Sequence, residues 1–337
     1  MSDLLGLAGM MLLTTKPPFF VETKARRQGA SEEIRPALSL LQDALSGPLD
    51  TVTSVVFVTG DAGAGKTEVL RQLVLRQADA YSRGEAECLY FYVNAQGRAL
   101  ARLDEALATE LQDLRASLTY HAVPSLVRNG ILVPVIDGFD ELLGVLGYED
   151  AFSSLRRFIE ELDGRGNLIA SARSTYYQQE FLSRSGRATL SGKLLQIDPI
   201  DVRPWGDAEY TEYVRLRYKI QPFPNVSEDE FAAKMKRAFA PAENQVLYGK
   251  PFFVAKTADL VLQGAEFRGT GLLDQLVTGY IERERPEQLL DNAVQPLLTA
   301  GQIERFVKFV CDEMWVQETR ALDLPTVRTI AELVCTE

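Results

Sequence analysis

Histidine and cysteine are scarce in this chain: one histidine, His121, and three cysteines, Cys88, Cys311 and Cys335, among 337 residues. The cysteines are odd in number, far apart and without CxxC spacing. Neither a disulfide framework nor a zinc site is indicated, and a reducing, cytoplasmic setting is expected. Basic residues are also in short supply, 36 Lys and Arg against 47 Asp and Glu, for a formal net charge of -11. Coating nucleic acid nonspecifically needs clustered cations to neutralise phosphates, so that class is disfavoured. Long apolar runs are missing too. Residues 4–13 form a run too short to span a bilayer, with Asp3 where a signal peptide carries basic residues and "TTKPP" at its end. A packed helix is the better reading, with no membrane partner. No internal repeat or low-complexity segment is visible.

What is present is a change of texture along the chain. Residues 1–50 read as an N-terminal helical lead-in: a helix, a break at Pro17 and Pro18, and a second helix over 31–45. Then come short apolar runs, "VVFVT" (55–59), "CLYFYVN" (88–94), "ILVPVID" (131–137), "NLIASA" (167–172) and "LLQIDP" (194–199), separated by amphipathic stretches. Runs apolar on both faces and spaced by helices predict an α/β fold with a five-stranded parallel sheet covered by helices over 51–200. One intervening stripe, Leu100, Leu103, Leu107, Leu111, Leu114 and Leu118, recurs at helical steps and reads as core packing. Residues 201–285 read as a helical subdomain. In 286–337, a helix, a short apolar "LDL" and another helix predict a winged-helix-like segment.

The strongest local signal is "VVFVTGDAGAGKTEVL", in which Gly60, Gly65, Lys66 and Thr67 satisfy GxxxxGK[ST] between a predicted strand and a predicted helix. Glycines at 60, 63 and 65 let the backbone curl so that successive N–H groups face an anion at the helix N-terminus. The phosphate cradle is expected from Gly60, Asp61, Ala62, Gly63, Ala64, Gly65, Lys66, Thr67 and Glu68. Lys66 would reach the β- and γ-phosphates, and the Thr67 hydroxyl would take a Mg²⁺ position. The second signal is "VIDGFDEL" (135–142). Asp137 ends a buried strand beside the P-loop and is the candidate Mg²⁺-organising carboxylate. Asp140 and Glu141 follow on the turn, within reach of a water aimed at the γ-phosphate, and either can be the base. An NKxD run for guanine is absent, and "TLSGKLL" (189–195) is only half of an ABC-transporter signature.

On these residues the chain resembles the NACHT-type NTPases, within the STAND branch of the AAA+-related P-loop ATPases. "ILVPVIDGFDEL" is similar to that family's Walker B segment, with Asp137, Gly138, Asp140 and Glu141 matching position by position. The resemblance implies ATP/ADP and Mg²⁺ as ligands, Asp137 as metal ligand and Asp140, supported by Glu141, at the water. "NLIASARSTYY" is similar to the family's next strand, making Arg173 a sensor of the γ-phosphate, on a strand expected between those of the P-loop and Asp137. Here Ala172 and Ser174 depart from the family's Thr-Ser-Arg-Pro pattern. "YGKPFFVAKTADLV" resembles the helix whose proline, here Pro251, packs near the adenine. "FLSRSGRATLSGKLLQI" resembles an AAA+ loop that supplies an arginine in trans, which would be Arg184 or Arg187. His121 precedes a helix, far from the winged-helix position where the family places a phosphate-contacting histidine.

The function implied is a switch: ATP and Mg²⁺ bind, slow hydrolysis resets the state, and the nucleotide controls conformation and homo-oligomerisation, in immune or antiviral defence. No effector or sensor domain is recognisable, so these are expected to be missing from this chain or on another polypeptide. An AAA+ motor is the alternative, but "AQGRALARL" (95–103) lacks the aromatic of a pore loop. The third reading is a scaffold that only retains ADP.

Overall fold

The computed structural model describes residues 2–14, 19–28, 34–45, 52–95, 103–142, 148–182, 195–221, 226–265, 267, 271–285, 296–319 and 322–336. The chain forms two compact units, Met1–Pro224 with Tyr248–Val254, and Asn225–Leu247 with Ala255–Glu337.

The first unit is built on one sheet of seven strands: β1 (Lys24–Arg27), β2 (Ile34–Pro36), β3 (Thr53–Gly60), β4 (Leu89–Asn94), β5 (Leu132–Asp137), β6 (Asn167–Arg173) and β7 (Leu195–Val202), in the order β2-β1-β7-β3-β6-β5-β4. The five parallel strands β3–β7 coincide with the five apolar runs. Val55, Val56, Phe57 and Val58 on β3 are all fully buried, as a sheet covered on both faces requires. Helices α1 (Ser2–Thr14), α2 (Ala37–Leu45), α3 (Lys66–Ser82), α4 (Leu103–Asp113), α5 (Val123–Arg128), α6 (Tyr148–Glu161) and α7 (Asp207–Ile220) complete the unit. The leucine stripe is core: Leu103, Leu107 and Leu111 on α4 and Leu114 just after it are buried. Leu100 lies outside the described residues.

The expected count of five strands is corrected to seven. Residues 24–27 and 34–36, placed in a helical lead-in, add an antiparallel pair to the sheet edge, with Ala25 opposite Val202 on β7. Arg35 precedes Pro36, whose ring disfavours helical geometry at the residue before it, so this segment runs extended and α2 starts only at Ala37. The edge is fastened by a partly buried charge pair, Arg27 Nε donating to the buried Asp198 Oδ1 at 2.8 Å.

The second unit is helical among its described residues: α8 (Glu228–Ala238), the part of α9 (Pro251–Leu262) from Ala255 on, α10 (Gly271–Glu284), α11 (Ala300–Val316) and α12 (Leu324–Thr336). Phe231, Met235 and Phe239 are among its buried side chains. The expected short apolar step at 322–324 is not a strand: Asp323 accepts the Thr326 N–H at 2.9 Å, an N-cap that draws Leu324 into α12. Among the described residues from 296 to 336 no strand pair of a wing is present. No helix among the described residues is long and apolar enough to cross a membrane.

Candidate nucleotide site

The site forms where the parallel strands end, the edge at which α/β sheets hold their ligands. Strand β3 finishes at Gly60, the chain turns through 61–65 and α3 begins at Lys66. Gly63 at φ +76° and Gly65 at φ +90° occupy left-handed conformations that a side chain disfavours. Close approach adds a second reason for glycine. A Cβ on Gly63 would sit 3.0 Å from Phe252 Cβ, and one on Gly65 would sit 3.4 Å from Pro251 Cγ.

Pro251 is thus seated on the P-loop. Phe252 donates its N–H to the Gly63 carbonyl at 3.2 Å. Lys250, which sequence reasoning passed over, reaches Asp61 at 3.6 Å. Lys66 Nζ folds back onto the Gly60 and Asp61 carbonyls at 2.8 and 3.0 Å. Burial pulls its ammonium below the ordinary lysine range, opposed by the charges of Asp140 and Asp137. Thr67 lies in the first turn of α3. Glu68 also lies there, but its carboxylate turns along the helix onto Arg71 at 3.3 Å, so what it offers an anion is its main chain.

Strand β6 lies between β3 and β5, the position expected for the strand carrying Arg173. In register, Arg173 is opposite Gly60. Its guanidinium bridges two carboxylates, with Nε 3.4 Å from Asp140 Oδ2 and Nη2 3.3 Å from Glu141 Oε1. Asp140 is 7% exposed, and burial pushes its carboxyl above the usual carboxylate range against the opposing pull of Arg173 and Lys66. Gly138, in the left-handed region at φ +76°, makes the sharp turn that separates Asp137 from this pair.

Asp137 is fully buried at the end of β5. Tyr92 donates its hydroxyl to Oδ2 at 2.8 Å, and Ser171 donates to Oδ1 at 2.6 Å. The Gly138 N–H in turn donates to Ser171 Oγ at 2.8 Å. The residues fit Mg²⁺: Asp137 and the Thr67 hydroxyl are hard oxygen donors. Among the described residues no group of three or more His, Cys, Asp and Glu forms a metal cage. Mg²⁺ needs no such cage, since it usually binds one or two protein oxygens and takes the rest from phosphates and water.

Sequence reasoning also missed Asp201, which accepts from Thr59 at 3.1 Å and pairs with Arg203 at 3.5 Å beside the P-loop strand. Tyr92 and Ser171 sat inside apolar runs where only strand propensity was legible. Arg184 and Arg187 lie outside the described residues. His121 sits on the turn before α5, which leads into the start of β5, away from Asp137 at its end.

Residues 54–235 match the family model described as the NACHT domain, more than half of the chain. The chain belongs to the NACHT family. No curated protein matches this NACHT chain. Among solved structures it is similar to a Walker-type ATPase of Pyrococcus abyssi, at 13% identity and TM-score 0.47 over 88% of this chain and 87% of that one. It is also similar to the Aeropyrum pernix ORC1 protein in complex with DNA, at 18% identity and TM-score 0.47 over 89% and 82% of the two chains. At those scores and identities the likeness carries neither fold nor function over to the NACHT chain. Family membership does carry the class, a nucleotide-binding P-loop NTPase.

Proposed function

We propose that this chain is an ATP-binding, slowly hydrolysing NACHT/STAND signalling switch whose nucleotide state sets its conformation and oligomerisation, in cytoplasmic immune or antiviral defence. The observation that carries the reading is the Arg173 bridge. Both groups able to activate water, Asp140 and Glu141, are held by one cation. A carboxylate held in an ion pair is less free to orient a water, which favours slow turnover over a motor's steady cycling.

The steps follow from the residues. Main-chain N–H groups of 61–67 and the N-terminus of α3 receive the β- and γ-phosphates, and Lys66 exchanges its two carbonyl partners for phosphate oxygens. Asp137 and Thr67 would hold Mg²⁺, which when bound draws charge from the phosphate oxygens. Arg173 is half exposed, so a γ-phosphate can compete for it. Its transfer to the phosphate frees Asp140 or Glu141 to orient a water and accept its proton. Pro251 and Phe252, at the start of α9, lie against Gly65 and Gly63, so a change in loop shape reaches that helix. The exposed Phe309, Trp315, Val316 and Leu324 supply apolar surface of the kind that assembly buries.

The test is to measure ATP turnover and solution mass of the purified protein with ADP and with ATP. Retained nucleotide, slow hydrolysis and an increase in mass with ATP support the switch. Fast turnover at constant mass would point to a motor.

A further inference from the structure

Strand β4 carries the sequence Tyr90, Phe91, Tyr92, and all three side chains are buried. A strand covered on both faces asks for apolar bulk, which Phe91 supplies without a hydroxyl. A buried hydroxyl costs stability unless it is bonded, so the extra oxygen of Tyr92 calls for a reason in its partner. That partner is Asp137. Asn94 is opposite Asp137 in the β4–β5 register, and Tyr92, two residues earlier, faces the same side. The Tyr92 hydroxyl meets Oδ2 at 2.8 Å while Ser171, from the strand on the other side of β5, meets Oδ1 at 2.6 Å. Each carboxylate oxygen is thus held from a different neighbouring strand.

The two donors are themselves held. Ser171 accepts the Gly138 N–H at 2.8 Å, tying it to the turn that leads to Asp140. The Tyr92 ring lies under the Arg71 guanidinium, 5.9 Å from its centroid, and Arg71 is fixed on α3 by Glu68. A carboxylate oxygen has more than one lone-pair direction, so accepting a hydroxyl is compatible in principle with binding a cation.

We propose that Tyr92, with Ser171, is a positioning residue of the metal site: the two hydroxyls lock the Asp137 carboxylate in one orientation, and this sets the affinity for the divalent cation that accompanies the nucleotide. The inference rests on the nucleotide-site reading above. Partners that orient a metal-binding group are commonly worth about 10–100-fold in metal affinity, and the removal of one hydroxyl belongs at the lower end of that range.

The experiment follows a fluorescent ADP analogue by anisotropy, titrating Mg²⁺ into wild type, Tyr92→Phe and Ser171→Ala, with EDTA as the metal-free reference. Tyr92→Phe keeps the ring under Arg71. It should raise the half-saturating Mg²⁺ concentration about tenfold while leaving the affinity in EDTA unchanged. Ser171→Ala, which also strips the Gly138 N–H of its acceptor, should shift it at least as far. If Tyr92→Phe does not fold, Ser171→Ala carries the test. An unchanged Mg²⁺ dependence in both variants overturns the proposal, and so does an equal loss of affinity with and without the metal, which would reduce the hydroxyls to packing. Those results leave the nucleotide-site reading standing. Wild type that binds no ADP in either condition overturns that reading, and the present inference with it.

Discussion

Replacing Gly63 by alanine tests whether the start of α9 is seated on the P-loop. Two effects act at this position. An L-residue at φ +76° is strained by about 1–2 kcal/mol. The new methyl would also stand 3.0 Å from Phe252 Cβ, closer than packed carbons tolerate, so Phe252 must move. Its N–H bond to the Gly63 carbonyl, 3.2 Å long, is then stretched or lost, at about 1 kcal/mol. The sum is a loss of about 2–3 kcal/mol. Gly84, just beyond the end of α3, provides the comparison: its φ is +73°, yet a Cβ there meets nothing within 4 Å. Gly84→Ala should lose only the conformational part, about 1–2 kcal/mol. Alanine also narrows the unfolded ensemble, but equally in both variants, so that contribution cancels in the difference. Chemical denaturation of the two variants without nucleotide measures that difference directly. Equal losses would refute the seating of Phe252 on the loop.

Two further outcomes follow from the same geometry. Asp140→Asn should abolish hydrolysis if Asp140 is the base, leave it to Glu141 if not, and in either case change the pH dependence of stability. Burial raises the carboxyl of Asp140, so its proton stabilises the fold at low pH, and that contribution is lost as pH rises through the raised value. Melting temperatures across an acid-to-neutral series should therefore fall for wild type relative to the variant, and parallel curves would refute the assignment. Lys250→Ala should cost no more than about 0.5 kcal/mol in denaturation, because its ion pair with Asp61 is largely exposed. A larger loss would move the seating of α9 from Pro251 and Phe252 to this charge pair.

Much of this architecture was legible because it is local. Five covered strands announce themselves as five apolar runs, and the phosphate loop announces itself as glycines, a lysine and a threonine at fixed spacing. The position of β6 between β3 and β5 was legible only through the family resemblance, since parallel pairing joins residues more than a hundred positions apart. Strands β1 and β2 were hidden because "KARR" and "IRP" have no alternation, and nothing local marks Ala25 as a buried residue opposite Val202. Tyr92 and Ser171 were hidden for a related reason: an aromatic residue and a serine in strands need no explanation until the carboxylate 45 or 34 positions away arrives beside them. Lys250 was overshadowed by Pro251. In "LDL" the apolar flanks hid the role of Asp323, which acts as a helix cap.

The claim on which the rest depends is that residues 60–68 with Asp137 hold a nucleotide phosphate chain. Equilibrium titration of Mg²⁺·ATP into wild type and Lys66→Ala tests it most directly. Saturable binding by wild type, with affinity in the variant reduced at least tenfold, about 1.4 kcal/mol, is the predicted result. Undiminished binding by a folded Lys66→Ala would contradict it.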